Sequence, residues 1–116
     1  RIEATNVIIA TGGRPRPVPG IEVDGNRVVT YREAILQSTA PDNVVIVGGG
    51  AIGIEFGFIY NAYGAKVTIV EALPRILPSE DSESSTALTR SFRKRGIEIF
   101  VDSEVKPLNP VRMAAP

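Results

Sequence analysis

Val44-Val45-Ile46-Val47-Gly48-Gly49-Gly50-Ala51-Ile52-Gly53-Ile54-Glu55-Phe56-Gly57 is the stretch on which the fold of this chain turns. Its first four residues are apolar without a break, the pattern of a parallel strand covered on both faces. Consecutive glycines stop that strand, and Ala51 to Tyr63 reads as a buried helix, with Gly64 placed where a left-handed cap is wanted. Gly48-x-Gly50-x-x-Gly53 is weak evidence by itself, but here a strand precedes it and a helix follows it. Each glycine then has a mechanical task. Gly48 permits the tight turn, Gly50 lets a diphosphate approach the backbone, and Gly53 lets the helix lie close to the sheet. Amides at the helix start, with their partial positive charge, would receive the phosphates. Gly57 lies one turn beyond Gly53, and a mid-helix glycine costs roughly 1 kcal/mol relative to alanine. Two on one face point to close helix–strand packing.

Working downstream, Lys66-Val67-Thr68-Ile69-Val70-Glu71 is a second strand, and Pro74 and Pro78 punctuate a loop. Ser82 to Arg95 reads as a charged helix with Leu88 and Phe92 on its inner face, ended by Gly96. Its acids come early and its bases late, which complements the helix dipole. Ile97-Glu98-Ile99-Phe100-Val101 is a third strand. The order is β-α-β-α-β: an α/β chain with part of a Rossmann-like, doubly wound parallel sheet.

Glu71 closes the second strand about 20 residues past the glycine motif, where such folds carry the acid that binds the adenosine ribose hydroxyls. A carboxylate there accepts from a free 2′-hydroxyl and repels a 2′-phosphate, which favours NAD over NADP. Arg75 is read either as a solvated loop residue or as a cation for that phosphate. Glu55 is read either as a helix-start acid or as a carboxylate facing the cofactor. The candidate cofactor-binding residues are therefore Gly48, Gly50, Ala51, Ile52, Gly53, Glu55 and Glu71. Replacing Glu71 by Ala is expected to weaken NADH binding and to leave the fold intact.

Upstream, Val7-Ile8-Ile9-Ala10 reads as a short strand stopped by Thr11-Gly12-Gly13, and Pro15, Pro17 and Pro19 mark an extended connector. Thr30-Tyr31-Arg32-Glu33 matches a capping box, so a short helix through Ala34, Ile35 and Leu36 should follow, closed by Pro41. Residues 105–116, with three prolines and no period, read as an irregular tail. The expected division is 1–30 as strand and connector, 31–104 as the partial Rossmann domain, and 105–116 as tail.

With 116 residues the chain is one domain at most, and 43% hydrophobic against 22% charged residues is ordinary globular composition. Thirteen basic residues balance 13 acidic ones, so no net charge draws the chain to nucleic acid or anionic lipid. No apolar run approaches a bilayer span. There is no cysteine and no histidine, which excludes disulfides, thiolate or imidazole metal sites and Cys or His catalysis within this chain. Absent cysteine fits a reducing compartment, and a cytoplasmic location is expected. The chain opens Arg-Ile-Glu-Ala-Thr and reads as an excerpt of something longer.

The stretches 44–57, Gly64-Ala65-Lys66-Val67-Thr68-Ile69-Val70-Glu71 and Arg75-Ile76-Leu77-Pro78 are similar to the NAD domain of dihydrolipoamide dehydrogenases. Ile8-Ile9-Ala10-Thr11-Gly12-Gly13, with Pro15 and Pro19-Gly20, resembles the segment where that family's FAD domain hands over to its NAD domain. The resemblance covers roughly residues 2 to 104. It implies a parent flavoenzyme that uses FAD and NAD(H), passes a hydride between them, and exchanges electrons with a cysteine pair and a histidine base. It also implies a homodimeric parent and membership of a 2-oxoacid dehydrogenase complex. Only cofactor-holding roles carry over: Gly48, Gly50 and Gly53 to the pyrophosphate, Glu71 to the ribose, Glu55 toward the nicotinamide, and Ile52 packed near the dinucleotide. Thr11-Gly12 would lie near the flavin side of a whole enzyme.

Two other readings stay open. One makes the glycine loop an FAD site, against which chain order argues, since the Ala-Thr-Gly segment precedes Gly48. The other is a non-catalytic, self-associating scaffold. A small sheet with an unpaired edge is expected to be marginally stable or self-associated.

Overall fold

The computed structural model describes residues 1–106. Six elements follow in order: α1 (Tyr31–Ala34), β1 (Asn43–Val47), α2 (Ala51–Ala62), β2 (Lys66–Val70), α3 (Ser82–Lys94) and β3 (Glu98–Phe100). Among the described residues the strands form one sheet of order β1-β2-β3, parallel throughout. This is the expected β-α-β-α-β order. The register pairs Ile46 with Ile69 and Ile69 with Ile99, so these side chains share one face. Both crossover helices pack there: Ile54, Tyr60 and Phe92 join Val67, Ile69, Ile97 and Ile99 in a single core.

The other face is open. Val45, Val47 and Phe100 are 66%, 43% and 52% exposed. The unbroken apolar run of β1 therefore does not mean burial on both sides, contrary to the sequence expectation; both helices cover the same side and leave the alternate residues bare. Nor is α2 buried all round. Ile54, Gly57 and Tyr60 face the sheet, while Ile52, Phe58 and Ile59 are exposed.

Val7–Ala10 forms no strand. Ile8 and Ile9 are 91% and 84% exposed, because no neighbouring strand lies beside them to pair their backbone. The capping box at α1 is present: Thr30 Oγ1 accepts from the Arg32 amide at 3.3 Å, and Glu33 Oε2 accepts from the Thr30 amide at 2.7 Å. The helix is shorter than the sequence suggests, and Ile35 and Leu36 are exposed. Tyr60 reaches back to this segment through a 2.8 Å bond from its hydroxyl to Gln37.

Helix α3 is capped by Asp81, whose side chain accepts from the Glu83 and Ser84 amides at 2.8 and 3.2 Å. Glu83 lies in its first turn and Arg93 and Lys94 in its last, matching the dipole as expected. Gly64 and Gly96 have φ of +92° and +80° and end α2 and α3 in the left-handed region. Residues 107–116, most of the segment read as a tail, lie outside the described residues.

Candidate dinucleotide site

The carboxyl ends of β1, β2 and β3 emerge along one edge of the sheet, where open α/β sheets bind their ligands. At that edge β1 runs into Gly48, whose φ of +107° favours a residue without a side chain. The Gly48 amide stays in the sheet, donating to the Val70 carbonyl at 2.8 Å. Gly50, exposed, is the N-cap of α2 and has no side chain to cap the first helical amides. A Cβ on Gly50 would meet nothing within 4 Å. The approach to the start of α2 is bare on that side.

Gly53 and Gly57 behave differently. A Cβ on Gly53 would overlap the Gly48 carbonyl oxygen, and one on Gly57 would lie 3.2 Å from Ile69 Cδ1. Both glycines let α2 press onto β1 and β2, as their shared face suggested.

Gly49, which the glycine motif leaves unspecified, is constrained as well. It is buried, and a Cβ there would fall 2.8 Å from Ile76 Cγ2. Its amide donates to Glu71 Oε2 at 2.6 Å, and its carbonyl accepts from the Leu77 amide at 2.7 Å. Glu71 Oε1 also accepts from the Leu73 amide at 2.9 Å. Glu71 is only 8% exposed. The sequence reading assigned this carboxylate to the adenosine ribose; in the structure it is a brace between the glycine loop and the 71–77 loop. An acid so bonded holds structure, which corrects the expectation that its loss would leave the fold intact.

The brace continues into α3. Ile76 is fully buried, and its carbonyl accepts from the Ser85 hydroxyl at 2.6 Å. Ser85 is itself 2% exposed, on the face that Leu88 and Phe92 also use. Gly49, Ile76, Leu77 and Ser85 were not singled out from sequence as site residues. The available signal was the apolar pair Ile76-Leu77 between two prolines, in a segment outside any predicted strand or helix.

The remaining candidates divide. Ala51 and Ile52 are exposed in the first turn of α2, beside Gly50. Glu55 is exposed one turn on from Ile52, outside the brace. Arg75 donates to the carbonyls of Pro78 and Glu80 at 3.1 and 3.3 Å, so its guanidinium ties its own loop together. Thr11 and Gly12 lie in the exposed N-terminal segment. Among the described residues no cluster of acids could hold a metal ion, and no helix is long and apolar enough to cross a membrane.

Comparison with known proteins agrees with this geometry. The family model of the pyridine nucleotide-disulphide oxidoreductases matches residues 1–112. Dihydrolipoyl dehydrogenase of Chlorobaculum parvum is 51% identical over 98 residues, 84% of this chain and 21% of that protein. The Mycobacterium leprae dihydrolipoyl dehydrogenase is 49% identical over 109 residues, 94% of this chain and 23% of its own length. The crystal structure of LpdA from Mycobacterium tuberculosis superposes with a TM-score of 0.70 at 36% identity, covering 79% of this chain and 20% of that one. The chain thus spans between 21% and 23% of the length of these curated relatives. A match along nearly the whole chain, on a three-stranded parallel sheet of this topology, settles its kinship: it belongs to the pyridine nucleotide-disulphide oxidoreductase family.

Proposed function

We propose that this chain is the NAD(H)-binding segment of a dihydrolipoyl dehydrogenase-like flavoprotein, with the dinucleotide diphosphate held at the Gly48–Gly53 loop. The observation that carries this is the contrast between Gly53 and Gly50. Gly53 is a glycine because protein atoms crowd it, whereas Gly50 is a glycine facing open space at a helix start. A missing side chain with nothing beside it is what a close-approaching diphosphate needs. The exposed amides of Ala51 and Ile52 would receive the phosphates, and Ile52 would pack near the dinucleotide. Glu71, braced from within, keeps lone pairs for the ribose hydroxyls, and its negative charge disfavours a 2′-phosphate. Glu55, further along α2, would face the nicotinamide end.

Bound NAD(H) would supply a hydride donor or acceptor to FAD in the parent enzyme. This chain contributes neither redox cysteines nor a histidine base, so it holds the cofactor and does not run the reaction by itself. The domain division at residues 30 and 104, a homodimeric cytoplasmic parent and membership of a 2-oxoacid dehydrogenase complex are part of the same proposal. A second reading, a self-associating scaffold, draws on the bare Val45, Val47 and Phe100 face.

Titration of the chain with NADH, followed by quenching or calorimetry, tests the proposal, with NADPH and FAD run beside it. Saturable binding of NADH in preference to NADPH and FAD is expected. Preferential FAD binding, or no binding at all, would overturn it.

A further inference from the structure

The bonds to Gly49 have a geometric corollary. Peptide groups are planar and trans, so a carbonyl and the N–H that follows it point in opposite directions. The chain has no cis peptide among its described residues. The Gly48–Gly49 peptide is fixed by the bond from its N–H to Glu71, which throws the Gly48 carbonyl the other way, over the Cα of Gly53. The Gly49–Gly50 peptide is fixed by the bond from Leu77 to its carbonyl, which throws the Gly50 N–H away from the 71–77 loop. Both peptide planes flanking Gly49 are therefore locked, and the second of them sets the aim of an amide at the exposed start of α2.

Leu77 can serve only if it is itself held. Its φ of +48° is unfavourable for a side-chain-bearing residue. Two neighbouring groups oppose its release: the fully buried Ile76 side chain, which rests against Gly49, and the Ile76 carbonyl, bonded to the buried Ser85 hydroxyl. Ser85 therefore ties the first turn of α3 to the loop that aims the Gly50 amide. We propose that Ser85 is a positioning residue for dinucleotide binding: it touches no ligand, and acts through Ile76 and Leu77 to preset the Gly49–Gly50 peptide. This rests on the reading of Gly48–Gly53 as the diphosphate loop.

The test separates the two ideas, using the full chain with Ser85→Ala and, should that variant fail to fold, Ser85→Cys, which keeps the volume but donates weakly. The first measurement needs no ligand. The amide resonances of Gly49 and Gly50 should move in the variant while those of Val67 and Ile99 stay, which a general loosening of the fold would not produce. The second is a titration with NADH and with ADP-ribose, which shares the diphosphate but lacks the nicotinamide. Both ligands should bind threefold to tenfold more weakly, by a common factor. Shifted resonances with unchanged affinities would overturn the positioning role and leave the NAD reading standing. Unmoved glycine resonances would overturn the latch itself. Failure of the unaltered chain to bind either ligand would overturn the NAD reading and the positioning role together.

Discussion

The Gly49 amide lies 2.6 Å from Glu71 Oε2, inside the protein, and Glu71 is the one buried charged residue among the described residues. A buried carboxylate bonded to two main-chain amides makes strong, charge-assisted contacts. Removing it leaves the buried Gly49 amide without its partner where water has little access. Glu71→Ala is therefore expected to lower stability by about 1–3 kcal/mol, the scale of an unsatisfied buried donor, as well as to weaken NADH binding. Urea unfolding checks the first effect and titration the second. A denaturation midpoint unchanged from the parent chain would show that the brace contributes nothing.

The two glycines of the motif that differ most should separate on substitution. Gly53→Ala drives a Cβ into the Gly48 carbonyl, and overpacking of that kind costs about 1–3 kcal/mol. Gly50→Ala meets open space at a negative φ and should cost at most about 1 kcal/mol, the loss of a tolerated N-cap residue. NADH affinity should nevertheless fall at least tenfold in Gly50→Ala. Thermal melts and titrations on the two variants check the pair; equal losses of stability would contradict it.

Strand residues should follow the sheet's two faces. Val45→Thr, on the open face, should change stability by no more than about 0.5 kcal/mol. Ile69→Ala, on the closed one, should cost about 2–5 kcal/mol. Chemical denaturation decides, and a large loss at Val45 would mean that something covers this face in solution. Sedimentation at rising concentration tells whether a second copy does so.

Acid should release α1 only as the pH falls below the ordinary glutamate range. The Thr30 hydroxyl, and then its amide, hold the Glu33 carboxyl below the ordinary glutamate range. A folded-state pKa below the unfolded one gives a contribution that is complete above the unfolded value and vanishes as pH falls through the folded one. Carboxyl titration by NMR should place Glu33 low, and Thr30→Ala should move it back up. An unmoved Glu33 would show that the box does not form in solution.

Much of this was legible in the sequence. The strand–glycine–helix order, the caps at Thr30, Gly64 and Gly96, and the close packing at Gly53 and Gly57 all follow from local rules that the chain obeys. Val45 and Val47 misled because an apolar residue records what a strand tolerates on each face, not which face the crossovers will cover. Val7–Ala10 misled because strand pattern alone supplies no pairing partner. Gly49 and Ser85 stayed hidden for another reason: their importance comes from contacts made 22 and 9 residues away in the chain, to Glu71 and Ile76, and no local period records such a meeting.

What the glycine loop offers at its tip belongs to the main chain. A point mutation exchanges side chains but leaves every non-proline amide in place, so whatever these amides grip cannot be lost by erasing a functional group. Change that enters through the neighbours orienting the loop falls on interior residues such as Ile76 and Ser85, on which stability also depends. Along that route, a lineage carrying this arrangement alters its binding habits only in steps that its core survives.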